Sequence, residues 1–389
     1  TRPTPCSPRN SSVVSAIAVL AVAAGSAAFI ANNQRDIANE ARVRAEIDAE
    51  TARQTTDFMV GLFEVSDPSE ALGNTITARE IMDRGAERIA QELSDQPVVQ
   101  ATLMETMGTV YTSLGLYKAS ADLLRKALDI RRSIHGNYHA AVASSMHRLG
   151  QVLKLQAEFG PAEANYQAAL TMRRELFGNE NSDTVESIVE LADLLLRRDK
   201  YFEAEVLLRE ALELQNALGL EKSTQTARIL RILSLCLYDQ GLADEPIPLM
   251  NSAVALLEDI QVGPHPQLAE ELKDLAILLG DAGQGREYER IFRYALDMKR
   301  SLLGDAHPEI ATGLNNVAYA LYDQGQIEES ELMHREALAM QRDLLGDAHP
   351  DVALSLGNLS YLAYETGRLD NAIAAASESL SVYRRAFGD

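Results

Sequence analysis

The sequence predicts an all-α protein: a right-handed solenoid of seven helix–turn–helix units, entered through one transmembrane helix and a juxtamembrane helix. Three observations predict it. His265-Pro266, His307-Pro308 and His349-Pro350 recur at intervals of 42 residues, and stepping back by the same interval reaches Ser223, Asn181, His139 and Pro97 without an insertion. Inside each unit, apolar residues lie three and four apart along two successive stretches, the spacing of one buried helical face. Near the start, Val13 to Ala31 (VVSAIAVLAVAAGSAAFIA) carries no charge, and a helix of that length spans roughly 28 Å.

Composition narrows the classes further. The chain has 389 residues, 46% of them apolar, which is too much apolar chain for wholesale disorder. Lys+Arg 36 against Asp+Glu 57 leaves −21, which argues against nucleic acid as a partner. The cysteines, Cys6 and Cys236, exclude a disulfide scaffold and a Cys-based zinc framework. The chain begins at Thr1 rather than Met and is read as a fragment of something longer.

Residues 1–12 hold Pro3, Pro5 and Pro8 and read as a linker. Residues 13–31 fit a membrane anchor. They also fit a secretory signal, with Arg2 and Arg9 as its basic region and Ser26-Ala27-Ala28 as a cleavage site. The Pro-rich leader suits a linker from an upstream domain better, which favours a single-pass anchor, and Arg2 and Arg9 before the span against Arg35, Arg42 and Arg44 after it leave its orientation open. Residues 32–63 form a charged juxtamembrane helix in which Glu40 and Arg44 are four apart, closed by the apolar Phe58–Phe63. Asp67-Pro68 and Gly73-Asn74 mark a loop over 64–74. Thr77-Ala-Arg-Glu80 is a capping box that opens an amphipathic capping helix within 75–96.

The repeats occupy 97–389. Each first helix carries an apolar residue at Met104, Met146, Ile188, Leu230, Leu272, Leu314 and Leu356, with a second apolar residue three further on. A small residue follows immediately: Gly108, Gly150, Ala192, Ser234, Ala276, Ala318 and Ser360. There another helix can approach closely. The second helix repeats its own small residue from Ala127 to Ser379, and Gly136, Gly178, Gly304, Gly346 and Gly388 end it. In the fourth unit Pro246 and Pro248 make the second helix start late, and the fifth has Gly285 where others carry a large apolar residue. Those two units are the expected soft joint.

This pattern, cleanest in "HPEIATGLNNVAYALYDQGQIEESELMHREALAMQRDLLGDA" (307–348), resembles the tetratricopeptide repeat in the 42-residue form of kinesin light chains. The resemblance implies that a second stripe on each first helix lines a concave groove. That stripe holds Tyr238, Tyr319, Tyr322, Tyr361 and Tyr364, with Asn315, Asn316 and Asn358 among them. Earlier units place Arg148, Lys154, Arg231 and Lys273 on it. Tyr offers contact area at low entropy and Asn bonds a main chain in both directions, so the expected partner is a protein or peptide with an extended segment. The resemblance further implies that an Asn at the position of Asn316 and Asn358 holds the ligand backbone. Thr106, Arg148, Glu190, Ile232 and Asp274 take that place in the other units. A ligand apolar toward one end and acidic toward the other fits both halves of the stripe.

The remaining chemistry-bearing residues have structural readings. His-Pro at a helix start is capping chemistry. His135 and His139 have a metal-like spacing but no acidic or Cys companion. Gly280, Gly283 and Gly285 sit in a helix–helix turn, not between strand and helix. Cys236 reads as a packed thiol. Neither a catalytic constellation nor a cofactor motif is expected.

Residues 40–135, including "EARVRAEIDAETARQTTDFMVGLFEVSDPSE" and "ITAREIMDRGAERIAQELSDQP", look like the region after the kinase domain in bacterial membrane-bound serine/threonine kinases. That resemblance implies the sensor or docking half of such a kinase, a single-pass inner-membrane protein with its repeats on the periplasmic side. The kinase motifs themselves, Gly-rich loop, HRD and DFG, are absent from this sequence. The alternative is a stand-alone membrane-anchored adaptor.

Overall fold

The structure, a computed structural model, describes residue 42, residues 49–58 and 60, and residues 78–387. All regular structure among them is helical. Residues 49–58 are helical, and α1 (Ala78–Glu92) precedes seven hairpins. These are α2 (Pro97–Ser113) with α3 (Tyr117–His135), α4 (Ala140–Leu155) with α5 (Phe159–Phe177), α6 (Ser182–Leu196) with α7 (Tyr201–Ala217), and α8 (Thr224–Asp239) with α9 (Pro246–Ile260). The last three are α10 (Pro266–Asp281) with α11 (Gly285–Leu303), α12 (Pro308–Asp323) with α13 (Ile327–Leu345), and α14 (Pro350–Glu365) with α15 (Leu369–Phe387). The fold class is an α-solenoid of helical hairpins.

The expected transmembrane element is corrected. No helix among the described residues is long and apolar enough to cross a membrane. The 19-residue helices have the length, but each breaks its apolar run with charges, as α11 does in GREYERIFRYALDMKRSLL. Residues 13–31 lie outside the described residues, as do the 64–74 loop and Thr77 of the capping box. Among the described residues the fold class therefore carries no membrane helix, and the single-pass inner-membrane placement is withdrawn.

From the second unit on, the first helices start in register because one position per unit caps them; α2 starts on Pro97 with no side-chain cap. Asn181 Oδ1 accepts from Asp183 N at 2.9 Å, and Ser223 Oγ from Thr226 N at 3.1 Å. At His139, His265, His307 and His349 the ring Nδ1 accepts from the backbone N–H two residues on, at 3.1 to 3.2 Å. Each cap satisfies one of the amides that a helix start leaves without a partner. Second helices end at glycines such as Gly136 (φ 76°) and Gly304 (φ 80°), a backbone region that costs a side chain energy.

Residues up to Ser145 form one compact unit and residues from Met146 a second, with α4 running through the division. In the first unit α1 lays Met82 and Ile89 against Val99, Leu103 and Met107. Tyr111 Oη donates to Asp83 there. A Cβ on Gly108 would sit 3.0 Å from Leu124, so the small residue marks where α2 and α3 touch. In the second unit Gly150 stands equally close to Tyr166. Ala192, Ala276 and Ala318 are wholly buried at the same position. The serines there also bridge the hairpin: Ser234 Oγ donates to Pro246 O at 2.7 Å and Ser360 Oγ to Ala372 O at 2.8 Å. Helix α9 begins at Pro246 and has 15 residues against 19 in α11, so the fourth hairpin closes less of its length.

Candidate ligand-binding face

Successive first helices of the second unit lie side by side, and their outward residues form one surface. Tyr322 of α12 and Tyr361 of α14 meet edge to face with ring centroids 5.7 Å apart. Arg231 of α8 reaches Asp274 of α10 at 2.7 Å. Along this face the expected site residues divide into two groups.

From the second to the fifth unit, charge meets charge. Lys154 Nζ lies 2.8 Å from Glu190 and 2.5 Å from Asp193, and Arg228 meets the other Glu190 oxygen at 2.6 Å. Tyr166 Oη donates to Glu190 as well. Burial opposes ionisation of Glu190, yet Lys154 and Arg228 hold its pKa down at about 2. Lys273 pairs with Glu270, which also receives Lys299 at 2.6 Å; those two cations pull Glu270 to about 2 against its burial. Tyr238 Oη donates to Asp281, which raises its pKa. Arg148 is exposed on α4. Lys154, Arg231, Lys273 and Tyr238 therefore spend their polar groups on the protein itself.

In the sixth and seventh units the face changes character. Tyr319, Tyr361 and Tyr364 are 58%, 53% and 62% exposed. Asn316 and Asn358, one repeat apart, make no hydrogen bond among the described residues, and Asn358 is exposed. A hydrogen bond to Tyr361 pushes the Tyr322 hydroxyl up to about 12. Asn315 is different: its Nδ2 donates to Ser355 at 2.8 Å and its Oδ1 accepts from His334 Nδ1 at 2.7 Å. Burial lowers His334 to about 4, so the ring is neutral near pH 7 and donates through Nδ1. Asn315 is a strut between α12, α13 and α14.

The residues that sequence reasoning passed over are the counterions and a polar position inside several seams. Arg131 meets Glu105 at 2.6 Å and donates to Ser145 at 2.8 Å. One repeat later Arg173 donates to Ser187 at 2.8 Å, and further on Ser355 donates to Gln341 at 2.7 Å. The signal was available, since Ser145 and Ser187, like Arg131 and Arg173, recur at the repeat interval. His135 and His139 stack face to face at 4.0 Å while His139 caps α4. Among the described residues no group of three or more His, Cys, Asp or Glu is placed to hold a metal ion. Cys236 is buried, which raises its pKa, and its Sγ donates to Tyr201 O.

These features define a repeat scaffold whose first helices present an interaction face. The tetratricopeptide repeat model matches residues 99–175, 183–259 and 309–385, and a second model of the same description matches 272–309. The chain belongs to the tetratricopeptide-repeat family. No curated protein matches it. Among solved structures it is similar to BtubC (BKLC) from P. vanneervenii, at 19% identity and TM-score 0.51 over 59% of this chain and 94% of that one. It is similar to the Rap conjugation gene regulator of the plasmid pLS20 in complex with the Phr* peptide, at 14% and 0.55 over 87% and 96%. It is also similar to aspartyl phosphate phosphatase F from Bacillus subtilis, at 14% and 0.54 over 86% and 84%. Likeness at these identities shows the fold. None of it supports the resemblance of residues 40–135 to a post-kinase region.

Proposed function

We propose that this protein is a peptide-binding scaffold whose ligand lies along the first helices of the sixth and seventh units. One observation carries the reading. Asn316 and Asn358 stand one repeat apart without partners among the described residues, flanked by the exposed Tyr319, Tyr361 and Tyr364. An unpaired carboxamide offers a donor and an acceptor, as a main-chain amide needs, and two of them one repeat apart hold successive parts of one extended segment. The tyrosines supply apolar area that offsets the entropy of ordering it. The pLS20 Rap regulator, similar in fold, is in complex with the Phr* peptide, which supports a peptide as the class of ligand. The paired cations of the earlier units argue for a ligand read by main chain and apolar side chains rather than by acidic ones.

The test is a selection from a displayed library of short unstructured peptides, followed by calorimetric titration of the selected peptide. Asn316→Ala combined with Asn358→Ala weakens binding by about 1–3 kcal/mol while helicity and melting stay unchanged. Equal affinity in wild type and double variant moves the site off these helices.

A further inference from the structure

We propose that the seam between the fourth and fifth units is a proton-operated joint, closed while Glu271 is protonated and loosened when it ionises. The inner side of the seam supplies the first observation. At the position of Glu271 three other seams place Ser145, Ser187 and Ser355, each bonded to Arg131, Arg173 or Gln341 of the preceding second helix, and two place the non-polar Ile229 and Gly313. In the fourth unit the position of those partners is Leu257, itself buried. Glu271 is wholly buried on α10, with Oε1 accepting from Gln267 at 3.1 Å and Oε2 without a partner. It borders a cavity of about 380 Å³ with Thr224, Gln225, Arg228, Arg231, Gln267 and Glu270.

The outer side supplies the second. Elsewhere in the second unit, Arg–Glu pairs tie each second helix to the next: Arg174–Glu210 at 2.7 Å, Arg209–Glu245 and Arg293–Glu329 at 2.9 Å, Arg342–Glu378 at 2.5 Å. Between α9 and α11 the two Arg positions hold Asn251 and Glu258, facing Glu287 and Tyr294. No ion pair among the described residues joins these helices, and a cleft of about 690 Å³ runs between them. The seam therefore rests on its apolar contacts, among them Val254, Leu257, Leu272 and Ile291, with a longer-range attraction between Glu258 and Arg290 of α11 beside them.

The charges around Glu271 explain why a proton matters. From α8, Arg231 favours the ionised form, but its guanidinium is held by Asp274, and Arg228 by Glu190. From α10, Asp274 opposes ionisation, and Glu270 is committed to Lys273 and to Lys299 of α11. From α9 the register position brings only Leu257. Burial lifts the Glu271 pKa to about 7, so the carboxyl is neutral in mild acid and charged above neutrality. Once charged, it draws Arg231 from Asp274 or admits water through the inner cavity. Either change opens a seam that no outer Arg–Glu pair ties.

Hydrogen exchange on the full chain, corrected for intrinsic rates, reads the joint directly. Between about pH 5 and about pH 8, protection of α8–α11 falls on the order of tenfold or more, while α12–α15 keep theirs. Glu271→Gln, a neutral isostere, removes that dependence. Asn251→Arg, which faces Glu287 as Arg209 faces Glu245, restores protection near pH 8. A wild-type seam indifferent to pH overturns the proposal, as does a Glu271→Gln seam that responds like wild type. Should Glu271→Gln fail to fold, Asn251→Arg decides, and unchanged opening near pH 8 counts against the joint. Peptide affinity is a separate readout, so failure here leaves the site on α12 and α14 standing.

Discussion

The face of the second to fifth units and the face of the sixth and seventh are built on the same helix positions, yet they do opposite things with polar side chains. On the first, Lys154, Glu190 and Arg228 close a network across three repeats, and Glu190 is buried within it. On the second, Asn316 and Asn358 have no partner among the described residues and the tyrosines stand out into solvent. A buried charge must be paired to be tolerated, so the first face is committed to holding repeats together. Amides at the surface, Asn358 exposed and Asn316 half-buried, cost little in the free protein and are available to a ligand. The difference locates the site more sharply than composition does.

Substitutions break this comparison at graded strength. Glu190→Ala leaves Lys154 and Arg228 facing each other and should cost about 3 kcal/mol, read by urea unfolding. A loss below about 0.5 kcal/mol would mean that the network does not hold the face. Its pH signature is set by the shift. The folded pKa near 2 lies below the ordinary 4.5, so the Glu190 contribution is present above 4.5 and disappears as pH falls through 2. Glu271 runs the other way, with a contribution present below 4.5 and lost as pH rises through 7. Melting temperature against pH should therefore rise and then fall, and Glu271→Gln should flatten the second limb alone.

Ala318→Leu tests the hairpin contact that both faces share. Ala318 is wholly buried, so the larger side chain overpacks α12 against α13 and costs on the order of 1–3 kcal/mol in thermal unfolding. His307→Ala removes a cap and should cost about 1 kcal/mol, whereas His307→Asn should keep most of it, since Asn181 does the same work natively. Smallest of all, Tyr319→Ala and Tyr364→Ala should change stability by less than about 0.5 kcal/mol, because both rings are more than half exposed. A large loss from either would make the second face structural too.

The sequence by itself determined the repeat, the helix starts and the close contacts. A 42-residue recurrence, prolines in the first turn of a helix, and Gly or Ala at Gly108, Gly150 and Ala318 are local signals, legible because helix geometry ties spacing to one face. It also placed the late start of α9 at Pro246. What the tertiary structure decided was partnership. Lys154 and Asn316 read alike as polar residues on one stripe, but Lys154 meets Glu190, 36 residues away, and Asn316 meets nothing among the described residues. Asn315, next door, turns inward to Ser355 and His334. Glu271 is buried with Oε2 lacking a partner, and the preceding unit places Leu257 where Arg131, Arg173 and Gln341 stand in other units. Which polar group is spent and which is free depends on the side chains that a neighbouring repeat brings within hydrogen-bond reach. Stacking fixes that, and period alone does not.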